Sequence, residues 1–326
     1  MADQFIRVRL TRIAGYDLNI FEFDYDLTWA AFFMNASNKI YGRFGGRDAQ
    51  GPDTRNHLDG LRHSLKEALV AHEAEMKNPV PPPAKKPFGI ESVKSARQFK
   101  GCIHCHYVKE IQWAEQKANG VWNRDEVWAY PLPENLGITL ALERGDTVKA
   151  VAAKSVADKA GLRAGDLLQR LGEIGVHSFA DAQFALHKAP VKGTIDVSWL
   201  REGKPHDAVL PLAEGWRKTN ITWRPSMLSF LPSLRVYGDD LTAKEKNALG
   251  LDEKRLAFRQ EIPVHAASKA AGLKSGDVVV GLNGLTLEMG VDEFLGYARR
   301  NFLIGDRITL DVLREGKALA LPITLK

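Results

Sequence analysis

The sequence predicts a multidomain α+β chain whose C-terminal half holds two copies of one small β-rich module. Three observations carry this. The 326 residues suffice for two or three domains. The stretch Pro79-Val80-Pro81-Pro82-Pro83-Ala84-Lys85-Lys86-Pro87 holds five prolines in nine residues and reads as an extended, semi-rigid spacer. Finally, Ala160-Gly161-Leu162-Arg163-Ala164-Gly165-Asp166 returns as Ala271-Gly272-Leu273-Lys274-Ser275-Gly276-Asp277, and Leu200-Arg201-Glu202-Gly203-Lys204 returns as Leu313-Arg314-Glu315-Gly316-Lys317. Two copies separated by 111 and 113 residues mean tandem domains rather than a solenoid.

Composition narrows the class. Apolar residues make up 44% and charged residues 26%, which suits a folded globular chain and excludes a disordered one. Two cysteines exclude a disulfide scaffold. The longest apolar run, Trp29 to Met34, falls far short of the ~20 residues a membrane helix needs. The net charge of +5 comes without a dense basic block, so nucleic acid is not an expected partner.

Within the N-terminal unit, Ile6, Val8 and Leu10 alternate with Arg7 and Arg9 and predict a half-buried strand. Thr28 to Met34, apolar on both faces, predicts a central strand, and Asn35 to Lys39 a turn that lets Ile40 to Phe44 pair back. Leu58, Leu61, Leu65 and Leu69 have helical spacing behind a possible cap at Asn56. The order resembles the C-terminal half of a thioredoxin-like domain, a partial ββα unit over about residues 5 to 75, yet with no Cys-x-x-Cys and no proline before the Trp29 strand. Thiol chemistry is therefore not expected of this unit.

Each C-terminal copy resembles a PDZ domain, a small β-barrel with helices. The A-G-L-x-x-G-D stretch, followed by Leu167-Leu168 or Val278-Val279-Val280, looks like the helix-turn-strand of that family. Upstream, Leu136-Gly137-Ile138 and Leu249-Gly250-Leu251 match its carboxylate-binding loop. A glycine between apolar residues lets the backbone form a nest of N–H donors for a terminal carboxylate, and a peptide would add as an extra strand. The resemblance implies peptide or protein C-termini as partners, with a groove filled internally as the alternative. No G-x-S-x-G or other nucleophile signature accompanies the pair, so proteolysis is not expected.

Both cysteines lie in Gly101-Cys102-Ile103-His104-Cys105-His106, a C-x-x-C-H stretch. This resembles the attachment motif of c-type cytochromes, which implies one covalent haem c on Cys102 and Cys105 with His106 as proximal iron ligand. On a helical turn, positions i, i+3 and i+4 share one face. Three alternatives stand beside haem: a thiol–disulfide site whose intervening histidine lowers a thiol pKa, a zinc or copper site, and a structural disulfide. Among the five methionines, Met227 in Trp223-Arg224-Pro225-Ser226-Met227 is the candidate distal ligand, with interface packing as its alternative. His57, His63, His72 and His104 are minor candidates. Trp113, Trp122 and Trp128 would pack around haem or form a small core.

The expected organisation is thus a thioredoxin-like unit over 1–77, a linker over 78–90, a short helical haem-c segment over 91–133, a PDZ domain over 134–213, a connector over 214–244 and a second PDZ domain over 245–326. The expected function is an exported electron-transfer cytochrome whose PDZ domains hold a redox partner protein, the alternatives being a thiol–disulfide oxidoreductase or a non-catalytic PDZ scaffold. Met1-Ala2-Asp3-Gln4 has no signal-peptide character, and the haem reading requires export. The expectation is a mature chain, periplasmic or extracellular.

Overall fold

A computed structural model describes residues 1–77, 86–99 and 103–326. The chain has mixed α and β structure and divides into two units: Met1–Thr219 with Trp223–Ser226, and Asn220–Thr222 with Met227–Lys326.

The first unit opens with a single hairpin. Strand β1 (Ala31–Met34) pairs antiparallel with β2 (Ile40–Phe44), and Asn38 takes a positive φ in the turn between them. Helix α1 (Leu58–Met76) starts at His57, whose Nδ1 accepts from Asp59 N, so the cap is His57 rather than Asn56. The leucine stripe is not its most buried face: Leu58 is exposed, while Gly60, Ser64 and Ala68 at i, i+4 and i+8 are buried. Small residues let the helix backbone approach closely, and a Cβ on Gly60 would lie 2.6 Å from Leu142 O. The alternation at Ile6, Val8 and Leu10 forms no strand, and all three side chains are exposed. Nor is β1 a central strand, since among the described residues β2 is its only partner, in a two-stranded sheet. Without a further strand the thioredoxin-like expectation fails.

Residues 86–90 are not spacer. Phe88 accepts from Leu18 N, donates to Asp17, and leads into the fully buried Ile90. The rest of the proline run, expected to be a linker, lies outside the described residues. Helix α2 (Cys105–Ala118) then buries Val108, Ile111 and Trp113.

A module of the first copy follows. Strands β3 (Ile138–Leu140) and β4 (Val148–Val151) pair antiparallel, and a second sheet runs in the order β6 (Ile174–Gly175), β5 (Leu167–Leu171), β7 (Gly193–Arg201), β8 (Lys204–Leu212). Helices α3 (Val156–Lys159) and α4 (Phe179–Lys188), each capped by a serine, complete it around one apolar core that includes Leu136, Ile138, Leu168, Leu186 and Trp199.

The second unit repeats this plan. After helix α5 (Ala243–Ala248) come β9 (Phe258–Arg259), α6 (Ala266–Ala270), β10 (Val278–Leu282), α7 (Val291–Asn301), β11 (Arg307–Arg314) and β12 (Lys317–Thr324), with sheet order β12-β11-β10-β9. Its core adds Leu234 and Val236 from what the sequence reads as connector, so this unit begins before residue 245.

Both copies carry the same staple. Asp166 and Asp277, almost fully buried, receive forked bonds from Arg201 (2.8 and 2.7 Å) and Arg314 (2.7 and 2.8 Å), and each arginine also donates to a glycine carbonyl at 2.7 Å. Burial acts to raise both carboxyl groups, but the arginine bonds outweigh it and hold them below their ordinary range. Every tryptophan lies in the first unit. Arg201→Met should therefore lower the midpoint of the tryptophan fluorescence transition in urea, because it leaves the buried Asp166 carboxylate without its partner. Arg314→Met should leave that transition in place and shift only the circular-dichroism signal of the second unit.

Candidate functional site

The candidate site is an extended run beside a helix, present in both copies but differently finished. In the first copy, a 3-10 turn over Pro133–Leu136 ends at Gly137, with φ +86°, and leads straight into β3. Glycine is required twice here: the left-handed backbone disfavours a side chain, and a Cβ would lie 2.2 Å from that of Ser155. Leu136 and Ile138 flank it, both buried in the core. Gly137 O accepts from Ala152 N and Ala141 N donates to Thr147 O, so residues 137 and 141 turn their main chains toward β4. Alternation along the strand turns those of Ile138 and Leu140 the other way, past α4.

That side is occupied by the chain itself. Arg43 N donates to Asp181 Oδ1 at 2.9 Å, and Ser178 Oγ donates to Arg43 O at 2.5 Å. The Arg55 guanidinium lies 4.5 Å from the Phe179 ring centroid and pairs with Asp48 at 2.8 Å and Glu134 at 2.6 Å. A Cβ on Gly46 would lie 2.6 Å from the Phe179 ring. The cavity left between Phe44, Gly60, Leu140, Leu142 and Phe179 is about 10 Å³, room for one water at most.

In the second copy, Leu249-Gly250-Leu251 does not precede a strand. Gly250 N donates to Asn247 O and Leu251 N to Lys246 O, which closes α5 in a Schellman arrangement with Gly250 at positive φ. The place of the Leu136-Gly137-Ile138 loop is taken by Leu234-Arg235-Val236. Leu234 and Val236 are buried, Arg235 takes φ +54°, and the following run pairs antiparallel with the β9 segment: Tyr237 O accepts from Glu261 N, Asp239 O from Arg259 N, and Leu241 N donates to Ala257 O. Sequence reasoning missed this loop because arginine, not glycine, holds the left-handed position. Spacing gave no warning, because Leu249 stands 22 residues before the second A-G-L and Leu136 stands 24 before the first.

Along this run the odd residues face β9. The N–H and C=O of Val236 and Gly238 make no hydrogen bond with the described residues. Asp240 accepts from Val291 N at 3.1 Å through both oxygens and pins the end of the run to the N-terminus of α7. At the other end Ile304 N, just past α7, donates to Phe230 O.

The C-x-x-C-H residues are arranged otherwise than expected. Cys102 lies outside the described residues. Cys105 is half-buried on the cluster that includes Tyr25, Ile90 and Val108, and burial raises its thiol pKa, which opposes thiolate chemistry. His106 Nδ1 stands 3.4 Å from Glu110, and its ring packs 4.3 Å from that of Tyr107. Met227 is fully buried. His104 caps α2 at its N-terminus without a side-chain bond. His72 Nδ1 meets Tyr41 Oη at 2.9 Å. His63 Nε2 meets Asp146 at 2.7 Å while Nδ1 faces Glu67 at 3.7 Å, an imidazole between two carboxylates rather than beside a hydroxyl nucleophile. No cluster of three or more His, Cys, Asp or Glu suited to a metal occurs among the described residues.

A buried polar cluster links distant parts of the first unit. Arg224 donates to Asp24 at 2.7 Å, to Asp26 at 3.2 Å and to Tyr130 O at 3.0 Å, and Ser226 donates twice to Asp26 at 2.8 Å. Nearby, Tyr130 N donates to His187 Nδ1, leaving Nε2–H to face Glu22 at 3.6 Å. Burial pushes the His187 imidazole down to about 4 despite Glu22. Burial alone would raise Glu22, but its bonds to His187 and Lys188 hold it at about 2.

No family profile matches the chain. Partial similarity links it to serine proteases. It is 29% identical over 149 residues to a probable periplasmic serine protease of the do/HhoA kind from Haemophilus influenzae, covering 46% of this chain and 29% of that one. It is 30% identical over 95 residues to the periplasmic serine endoprotease DegP of Salmonella typhimurium (28% and 19% covered), and 23% over 189 residues to the Do-like HtrA of Bacillus subtilis (58% and 39%). The chain thus spans less than two fifths of the length of each. A solved HtrA-type protease, AlgW with a decapeptide, overlaps 41% of this chain and 49% of its own at 16% identity, with a TM-score of 0.25, too loose to support a structural argument.

These relatives overturn the cytochrome reading. The chain resembles serine proteases, not electron carriers, so haem c, iron, electron transfer and a redox partner all fall, and the thiol–disulfide alternative gains no support. The thioredoxin-like resemblance falls with them.

His187 gives a test of the buried cluster. Its folded pKa lies below the ordinary value of 6.5, so its contribution is complete above pH 6.5 and is lost as pH falls toward 4, up to roughly 3 kcal/mol. Asp181, pushed up to about 7 by burial, acts in the opposite direction and is lost as pH rises. The readout is therefore a difference: His187→Asn, whose amide oxygen can replace Nδ1, should gain on the wild type steadily between pH 6.5 and 4 in urea titrations.

Proposed function

We propose that this chain recognises extended peptide segments of other proteins through a PDZ-like copy of its repeat, and that it does so without cutting them. The observation that carries the proposal is the unpaired main chain of Val236 and Gly238 beside α7. Exposed strand edges are templates for an added strand, and a partner there gains main-chain hydrogen bonds together with side-chain selectivity. The internal repeat and the paired Asp–Arg staples support two domains of one kind, the first around 134–213, the second reaching back to Met227. Similarity to HtrA-type proteases supports the same reading for the modules. The catalytic activity of those relatives is not carried over, because the chain spans less than two fifths of the length of each. The compartment is periplasmic, as in the relatives bearing that description, and no helix among the described residues is long and apolar enough to cross a membrane.

Two measurements test this. Isothermal titration of the full chain with an extended peptide selected from a display library should give one-to-one binding in the micromolar range. Incubation with denatured casein should leave the casein intact over hours. Cleavage that survives repurification and is lost in His63→Ala would contradict the proposal.

A further inference from the structure

The two copies differ in what their helix-side edge can accept. In the first, Phe44, Gly46 and Arg55 lie against Phe179 and Glu134, and Arg55 is tied on both sides by carboxylates. Arg43 is fixed to Ser178 and Asp181 through its own main chain. An incoming strand would have to displace all of these contacts. In the second, Val236 and Gly238 offer their N–H and C=O groups, and Val291 and Leu295 of α7 are half-buried on the core beside them.

The second edge is also electrically polarised. Arg235, at the start of the run, is exposed, as are Arg299 and Arg300 in the last turn of α7. The opposite end carries Asp239 and Asp240 on the run and Asp292 and Glu293 in the first turn of α7, all exposed. Asp240 fixes the direction, since it binds the first turn of α7 while the Leu234 end lies toward the last. Basic and acidic ends are thus separated by seven positions of one helix, about 10 Å at 1.5 Å per residue.

We propose that the second copy is the receptor of this chain, the first being closed by its own residues 43–55, and that its partner is a protein C-terminus with basic side chains a few residues upstream. The terminal carboxylate lies at the Arg235 and Arg299 end. The upstream lysines or arginines meet Asp239, Asp292 and Glu293. This inference rests on the peptide-recognition function proposed above.

A phage library displaying random C-terminal heptapeptides, panned on the full chain, should enrich Lys and Arg three to five residues before the terminus. A fluorescent peptide from that pool should bind at least 10-fold more weakly to Arg235→Glu/Arg299→Glu, and less tightly to Asp292→Asn/Glu293→Gln, by anisotropy. Its affinity should be unchanged in Arg55→Ala. Circular-dichroism melts confirm that each variant is folded, and 300 mM salt should weaken wild-type binding. Selected peptides that bind the Arg235→Glu/Arg299→Glu variant undiminished, or that carry acidic residues upstream, overturn this inference and leave the recognition function standing. A library that enriches no peptide on the wild type overturns both.

Discussion

Every second residue of an extended run directs its N–H and C=O away from its strand partner, and those groups must find protein, water or a ligand. This constraint organises both copies of the repeat. In each, a left-handed residue between two buried apolar side chains starts the run beside a helix: Gly137 between Leu136 and Ile138, Arg235 between Leu234 and Val236. The first copy covers that side with its own N-terminal segment. The second leaves Val236 and Gly238 without an internal partner. One architecture thus yields a closed edge and an open one, and the difference lies in sequence outside the repeat.

Closure of the first edge depends on buried electrostatics as much as on apolar packing. Asp24 and Asp26 are almost fully buried, and Arg224, also buried, supplies the opposing charge from 200 residues away. Removing the guanidinium would leave two uncompensated carboxylates, so this cluster fixes which segments can coexist in the first unit. Glu22 and His187 extend the same logic to the C-terminal turn of α4. A neutral His187 keeps its Nδ1 lone pair for Tyr130 N, and protonation would destroy that bond.

Much of this was legible in the sequence where a local signal existed. The tandem repeat, the hairpin around Asn35 to Lys39 and the helix from Leu58 all follow from patterns within a few residues. The misreadings share a cause: a local pattern without its tertiary context. Ile6, Val8 and Leu10 alternate but have no strand to pair with. Leu249-Gly250-Leu251 copies the spacing of Leu136-Gly137-Ile138, yet in the fold it stops a helix, because α5 is inserted between the run and β9. Cys105 and His106 carry an attachment motif but point into an apolar cluster and at Glu110. Nothing local announces that Arg224 belongs with Asp24 or that Arg55 belongs with Glu134.

The most direct test of the open second edge is amide hydrogen exchange on the full chain, resolved by NMR, with and without a bound C-terminal peptide. Open Val236 and Gly238 amides should exchange fast in the free protein and slow by at least 10-fold on binding, while Ile138 and Leu140 remain unchanged. Slowing confined to Ile138 and Leu140, or fully protected Val236 and Gly238 amides in the free chain, would contradict the account.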